Sequence, residues 1–209
     1  MNAARRRLLA AALSTPFVGL TGVHAQEETI ANGIFLVAKP ELRDPNFRET
    51  VVLITQPGAG SGPLGVIVNR PLAARLSEAV PGIGAIPETS EQIYGGGPVG
   101  RNRILFLVRS AEPAATSLRV LDDVYMTGDP QLPAKVARGE LKAVSYRAYI
   151  GYAGWAPRQL RAEIAAGGWY LTPAEADTIF AVDAAAVWPA MIKRVTTRIT
   201  RREFISRTG

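Results

Sequence analysis

Three short segments hold the residue types and settings that could grip a ligand. Asn69-Arg70-Pro71 ends an apolar run and puts a charged guanidinium at an element junction. Such a group can hold a carboxylate or phosphate through two parallel N–H bonds. Tyr94-Gly95-Gly96-Gly97-Pro98 strings together three residues without side-chain bulk, so the main chain can come close to a bound molecule or to another backbone. Gly151-Tyr152-Ala153-Gly154-Trp155 sets two aromatics among small residues, with Gln159 four positions beyond Trp155. Tight packing between elements explains each segment as well as a ligand cleft does. The expectation to be tested is that Arg70, Gly95 to Pro98 and Trp155 line one cleft, with Asn69, Tyr152 and Gln159 beside it.

Other chemistry is poorly supported. The chain has no cysteine and one histidine, His24. Once that histidine leaves with the N-terminal segment, no Ser-His-Asp or Cys-His pair and no histidine or cysteine ligand for a transition metal remains. No metal site and no cofactor is expected. Gly58-Ala59-Gly60-Ser61-Gly62 is not a dinucleotide loop, because Pro63 stands where the third glycine belongs and a strand follows instead of a helix. Gly-x-Ser-x-Gly is absent too. Asp122 and Asp123 are adjacent in an expected strand, so they point to opposite faces and make a poor catalytic pair. Asp44 and Arg48 fall in a turn signalled by Asp44-Pro45.

The N-terminus reads as an export signal. Arg5, Arg6 and Arg7 precede a broken apolar run, and Val23-His24-Ala25 supplies the small residues of a cleavage site before Gln26. Residues 1–25 are thus expected to be a signal peptide of the general-secretion or twin-arginine type, and residues 26–209 a single periplasmic domain. Loss of the three arginines lowers the 24 Lys and Arg to 21, against 18 Asp and Glu, a net +3 instead of +6. Six of these bases lie between Lys193 and Arg207, opposed only by Glu203, which leaves 15 bases and 17 acids on the body. A body of net −2 argues against nucleic-acid binding. The basic segment reads as a solvated edge element, with an anionic membrane surface as the other use for it.

The apolar runs at 33–37, 51–55 and 64–68 read as strands, the last two forming a hairpin. Further strands are expected at 104–108, 120–126 and 143–151. Helices are expected at 72–80, from Asp129-Pro130 to about Arg138, at 158–166 ending on Gly167-Gly168, and at about 183–194. Thr172-Pro173-Ala174-Glu175 has the form of a capping box. Strands first, then mixed short elements without regular alternation, indicate an α+β fold with a largely antiparallel sheet.

In order and spacing these segments resemble the AlgH/YqgE family of bacterial proteins over nearly all of residues 26–209. The residues that carry the resemblance are Gly33 to Pro40, Asp44 to Arg48, Leu64 to Pro71, Gly95 to Val99, Gly151 to Trp155 and Gln159-Leu160. The resemblance implies a strongly bent, mainly antiparallel sheet forming a pseudo-barrel with short helices packed around it. It implies no particular activity. Three departures stand out: the signal peptide, Gln56-Pro57 where the family often has an acidic residue and a histidine, and the basic C-terminal segment. The functional expectation is a non-catalytic binding or regulatory module holding a small polar or anionic ligand or a protein partner. The alternatives are a hydrolase-like enzyme using carboxylates such as Asp44 or Asp123, and an interaction protein with no small ligand.

Overall fold

The computed structural model describes residues 30–58, 62–80, 92–112 and 114–208, with side chains up to residue 201. The expected signal peptide and the loop at 81–87 lie outside the described residues. Strands β1 (Ile34–Ala38), β2 (Val51–Gln56) and β3 (Leu64–Ile67) form an antiparallel meander, with Gly65 facing Ile54 across the β2–β3 hairpin. Alternate residues of β1 serve two different cores. Phe35 and Val37 join one cluster, Leu36 and Ala38 the other. Both faces are covered, so these strands read as unbroken apolar runs instead of an apolar–polar alternation.

The chain then departs from the expected helix at 72–80. Pro71–Arg75 is strand β4, and only Leu76–Ala79 is helical, as α1. β4 lies at an edge, where proline's missing N–H does no harm, and its one partner is β5 (Gln92–Gly95). β6 (Val99–Arg109) extends the strand expected at 104–108 toward its N-terminus. The strand expected at 120–126 is two strands, β7 (Leu118–Arg119) and β8 (Val124–Thr127), around a turn that contains Asp122 and Asp123. Helix α2 (Leu132–Ala137) begins after Asp129, whose Oδ1 accepts the Gln131 N–H at 2.9 Å.

β9 (Ser145–Gly154) is the centre of the sheet. It pairs antiparallel with β3 and β6 and parallel with β5. After α3 (Gln159–Ala165) comes β10 (Trp169–Pro173), which pairs with β1. Thr172-Pro173 ends this strand, and no side-chain capping bond forms ahead of α4 (Ala176–Ile179). The capping box is therefore not made. Asp183 opens α5 (Ala184–Thr208), its Oδ1 accepting the N–H groups of Ala185 and Ala186. The basic segment is the second half of this helix. Arg194 pairs with Glu175, and Arg198 donates to the Thr172 hydroxyl.

The ten strands form one curled sheet, in the order β10-β1-β2-β3-β9-β6-β8-β7 with β4 and β5 off that path, a half-barrel of α+β class. Helices α4 and α5 cover one face through Ile179, Val187 and Met191, while Leu160 of α3 packs on another cluster. Leu76 and Leu132, from α1 and α2, pack with Ile93 and Phe106 in a third. Among the described residues no helix is long and apolar enough to cross a membrane.

Candidate functional site

Asn69 fixes the exit from β3. Its Oδ1 accepts the Val51 N–H at 2.8 Å and its Nδ2 donates to the Glu49 carbonyl at 3.0 Å, which locks the strand end to the 44–50 loop. Arg70 follows, already held from two sides. Its carbonyl accepts the Gly95 N–H at 2.8 Å, and its Nη1 donates to the Asn46 carbonyl at 2.7 Å. The triple glycine runs through the seam between β3 and β9. Gly96 accepts from the Ile67 N–H at 2.9 Å and donates to the Ile150 carbonyl at 2.8 Å.

The three glycines do different jobs. A Cβ on Gly96 would stand 2.3 Å from the Gly151 carbonyl oxygen. One on Gly97 would stand 2.2 Å from the Tyr152 carbonyl carbon, and φ there is +155°. A Cβ on Gly95 would meet only Leu72 Cδ2 at 3.4 Å and the Arg70 stem at 3.6 Å, which is ordinary contact. Gly96 and Gly97 are glycine so that backbones can touch. Gly95 borders the space of a cavity and has room for ordinary contacts.

That space is a cleft of about 210 Å³ lined by Asn46, Arg70, Leu72, Gly95, Gly97, Pro98, Arg101 and Ile150. Its electrostatics are cationic. Burial, then the neighbouring Arg48 charge, hold the Arg70 guanidinium below its ordinary value, with Asp44 acting in the opposite direction. Among the described residues no carboxylate forms an ion pair with Arg70. Arg101, exposed on β6, adds a second guanidinium to the rim. Sequence reasoning missed Arg101, Asn46, Leu72 and Ile150. Arg101 carried a faint signal, standing on the strand that leaves the glycine run.

Of the residues singled out in the sequence, Arg70, Gly95, Gly97 and Pro98 meet in this cleft. Asn69 and Gly96 support it from behind. Tyr152 is half-buried on β9, and its ring lies 2.8 Å from where a Gly100 Cβ would be. Trp155 stands apart, at 3 % exposure in the cluster of Leu36, Val52 and Leu160. It stacks on Phe47 with ring centroids 5.8 Å apart and meets Trp169 edge-on at 6.3 Å. Its Nε1 and that of Trp169 both donate to Glu163 Oε2 at 3.0 Å. Gln159 serves the same group, donating to Glu163 Oε1 and accepting the Ala156 N–H. Trp155 and Gln159 are therefore not part of the cleft wall. Consecutive residues of one loop join the two regions, Asn46 on Arg70 and Phe47 on Trp155.

Asp44 and Asp123 do not converge, and the carboxylate that does stand near Asp123 is Asp177, held by the same Arg109 at 2.7 Å. Asp44 closes its own turn on the Asn46 N–H at 2.7 Å, and Asp123 pairs with Arg109 at 2.6 Å. Among the described residues no group of three acidic, histidine or cysteine side chains is placed to hold a metal ion.

The chain is similar to known proteins in sequence and fold. The family model described as AlgH-like (DUF179) matches residues 35–200. A UPF0301 protein of Thermobifida fusca is 35% identical over 175 residues, covering 78% of this chain and 85% of its own. One from Chlorobium luteolum is 32% identical over 173 residues, 82% of this chain and 89% of its own. The solution structure of the AlgH protein from Pseudomonas aeruginosa superposes with a TM-score of 0.60 at 29% identity, covering 72% of this chain and 81% of that one. A crystal structure of a Corynebacterium diphtheriae protein superposes with a TM-score of 0.67 at 24% identity, covering 79% and 87%, and shows the shared fold. The chain belongs to the AlgH-like family.

Proposed function

We infer that this protein is a non-catalytic binding module whose cleft at Arg70 holds a small polar or anionic group. The observation that carries this reading is a half-buried guanidinium that, among the described residues, forms no ion pair, facing a cleft rimmed by a second arginine. A partly buried charge without a paired counter-charge is costly, and an incoming carboxylate or phosphate relieves that cost. Asp44 is engaged in its own turn, and Asp123 and Asp177 are both ion-paired to Arg109, which favours binding over a hydrolytic reaction that needs a free carboxylate pair.

The test is titration of the mature chain with inorganic phosphate and with citrate, followed by amide NMR shifts. Saturable shifts at Gly95 and Gly97 are expected. Arg101→Gln, at an exposed position, should leave the melt unchanged and weaken binding about tenfold, the loss of one charge-assisted hydrogen bond. Arg70→Gln should weaken it at least as much. Wild-type anion binding in both variants, or no saturable shift with either anion, would refute the assignment.

The setting we propose is the periplasm, reached through cleavage after Ala25. Its support is the tribasic start, the apolar run and Val23-His24-Ala25. Intact mass of the protein recovered from its native host should correspond to a chain beginning near Gln26. Uncleaved protein confined to the cytosol would contradict export.

A further inference from the structure

A second, larger groove of about 600 Å³ lies on the other side of the β4–β5 ribbon, where Pro71 and Tyr94 contribute to it while Arg70, Leu72 and Gly95 contribute to the first cleft. Its volume is in the range of small-molecule sites, roughly 300–1,000 Å³. Arg147 of β9 lies in its wall at 9 % exposure. Nη1 and Nη2 donate to the carbonyls of Ile179 and Ala181 at the end of α4, and the guanidinium carbon sits 4.5 Å from the centre of the Tyr94 ring. Carbonyl dipoles and a ring face orient the guanidinium, but none of them carries a full negative charge. Among the described residues no carboxylate pairs with it. The fully buried Tyr149 hydroxyl lies close to the same guanidinium. Besides the polar Gln92, Ser145 and Asp183, the wall holds solvent-exposed apolar side chains. Val144 is 80 % exposed and Val182 fully exposed, with Phe180 beside them.

We propose that this groove is a binding site for a monocarboxylic acid with an apolar body. The carboxylate pairs with Arg147, and the body covers Val144, Phe180 and Val182. One negative charge fits better than two, because Asp183 lines the same groove and repels a dianion such as a phosphate monoester. The fork of Arg147 has N–H donors beyond the two bound to carbonyls, so it can bond a carboxylate without releasing α4. The site is independent of the Arg70 cleft, and neither assignment needs the other.

The experiment uses octanoate as the probe and octanol as its uncharged counterpart, read by amide NMR shifts of the mature chain. Octanoate should give saturable shifts at Ser145 and Val182, and octanol should bind about tenfold more weakly or worse. Val182→Trp, at a fully exposed position, should fill the groove and weaken octanoate by at least about tenfold without altering the melt. Arg147→Met should do the same by removing the charge. If Arg147→Met does not fold, Val182→Trp decides alone. Any octanoate held at Arg70 is told apart by its own shifts at Gly95 and Gly97, away from Ser145 and Val182. Equal binding of octanol and octanoate, an unaltered Val182→Trp, or the absence of saturable octanoate shifts would each overturn the proposal.

Discussion

Trp155→Ala should destabilise the protein by about 3–5 kcal/mol, the usual cost of truncating a buried tryptophan. For a domain of this size that corresponds to a fall of roughly 6–20 °C in Tm. The loss has three parts. The indole is buried at 3 % exposure between Phe47 and Trp169, so truncation leaves a cavity lined by aromatic rings. It also removes one of the two indole N–H groups that converge on Glu163. Finally, it frees Phe47, whose neighbour Asn46 holds the Arg70 guanidinium. The amide shifts of Gly95 and Gly97 should move along with the melt. Trp155→Phe keeps a stacking ring and should lose clearly less. A near-wild-type melt for the alanine variant would show that the indole does not hold this cluster together.

The second large effect separates neighbouring glycines. Gly97→Ala should cost roughly 2–6 kcal/mol, from backbone overlap and an unfavourable φ together. The new Cβ would sit 2.2 Å from the Tyr152 carbonyl carbon, and the seam between the glycine run and β9 cannot widen without breaking the Gly96–Ile150 hydrogen bond. Gly95→Ala, two residues away, should change stability by no more than about 1 kcal/mol, because its Cβ points into the cleft. Urea unfolding of both variants measures the difference. Equal losses would mean that the run is one uniform packing element, and the distinction between a cleft-facing and a seam-forming glycine would fail.

That distinction marks where sequence reasoning runs out. Three glycines announce a close approach, but not whether a ligand or a strand makes it. Only the partners, Gly151 and Tyr152 for two of the glycines and the edge of a cavity for the third, decide. Arg70 was legible because a cation at a strand exit is conspicuous. Arg101 was barely so, because only its place just beyond the glycine run sets it apart from Arg103 on the same strand. Trp155 could have faced either side of β9, and periodicity does not choose between two apolar faces.

The same limit shaped the elements. β1 to β3 were plain in the sequence because strands covered on both faces are long apolar runs. β4 looked like a helix start because proline suits a first helical turn, yet pairing with β5 prevailed over that local preference. β5 was not expected, because it is four residues long and runs straight into Gly95-Gly96-Gly97. β10 was hidden by Thr172-Pro173-Ala174-Glu175, whose capping pattern yielded to pairing with β1 across most of the chain. The bent α+β sheet itself was expected, and the curled half-barrel agrees with it.

The place of β9 and β10 in the sheet has a consequence for how the protein is made. β3, β5 and β6 leave the ribosome well before β9, their common partner, and β1 waits for β10. A nascent chain that stops short of Ser145 can pair β1–β2–β3, β4–β5 and β6–β8–β7, but it lacks the strand that joins these pieces into one sheet. The joined sheet must come late, after most of the polypeptide has been synthesised. Until then the apolar runs of β1 to β3 are open to chaperones and to one another.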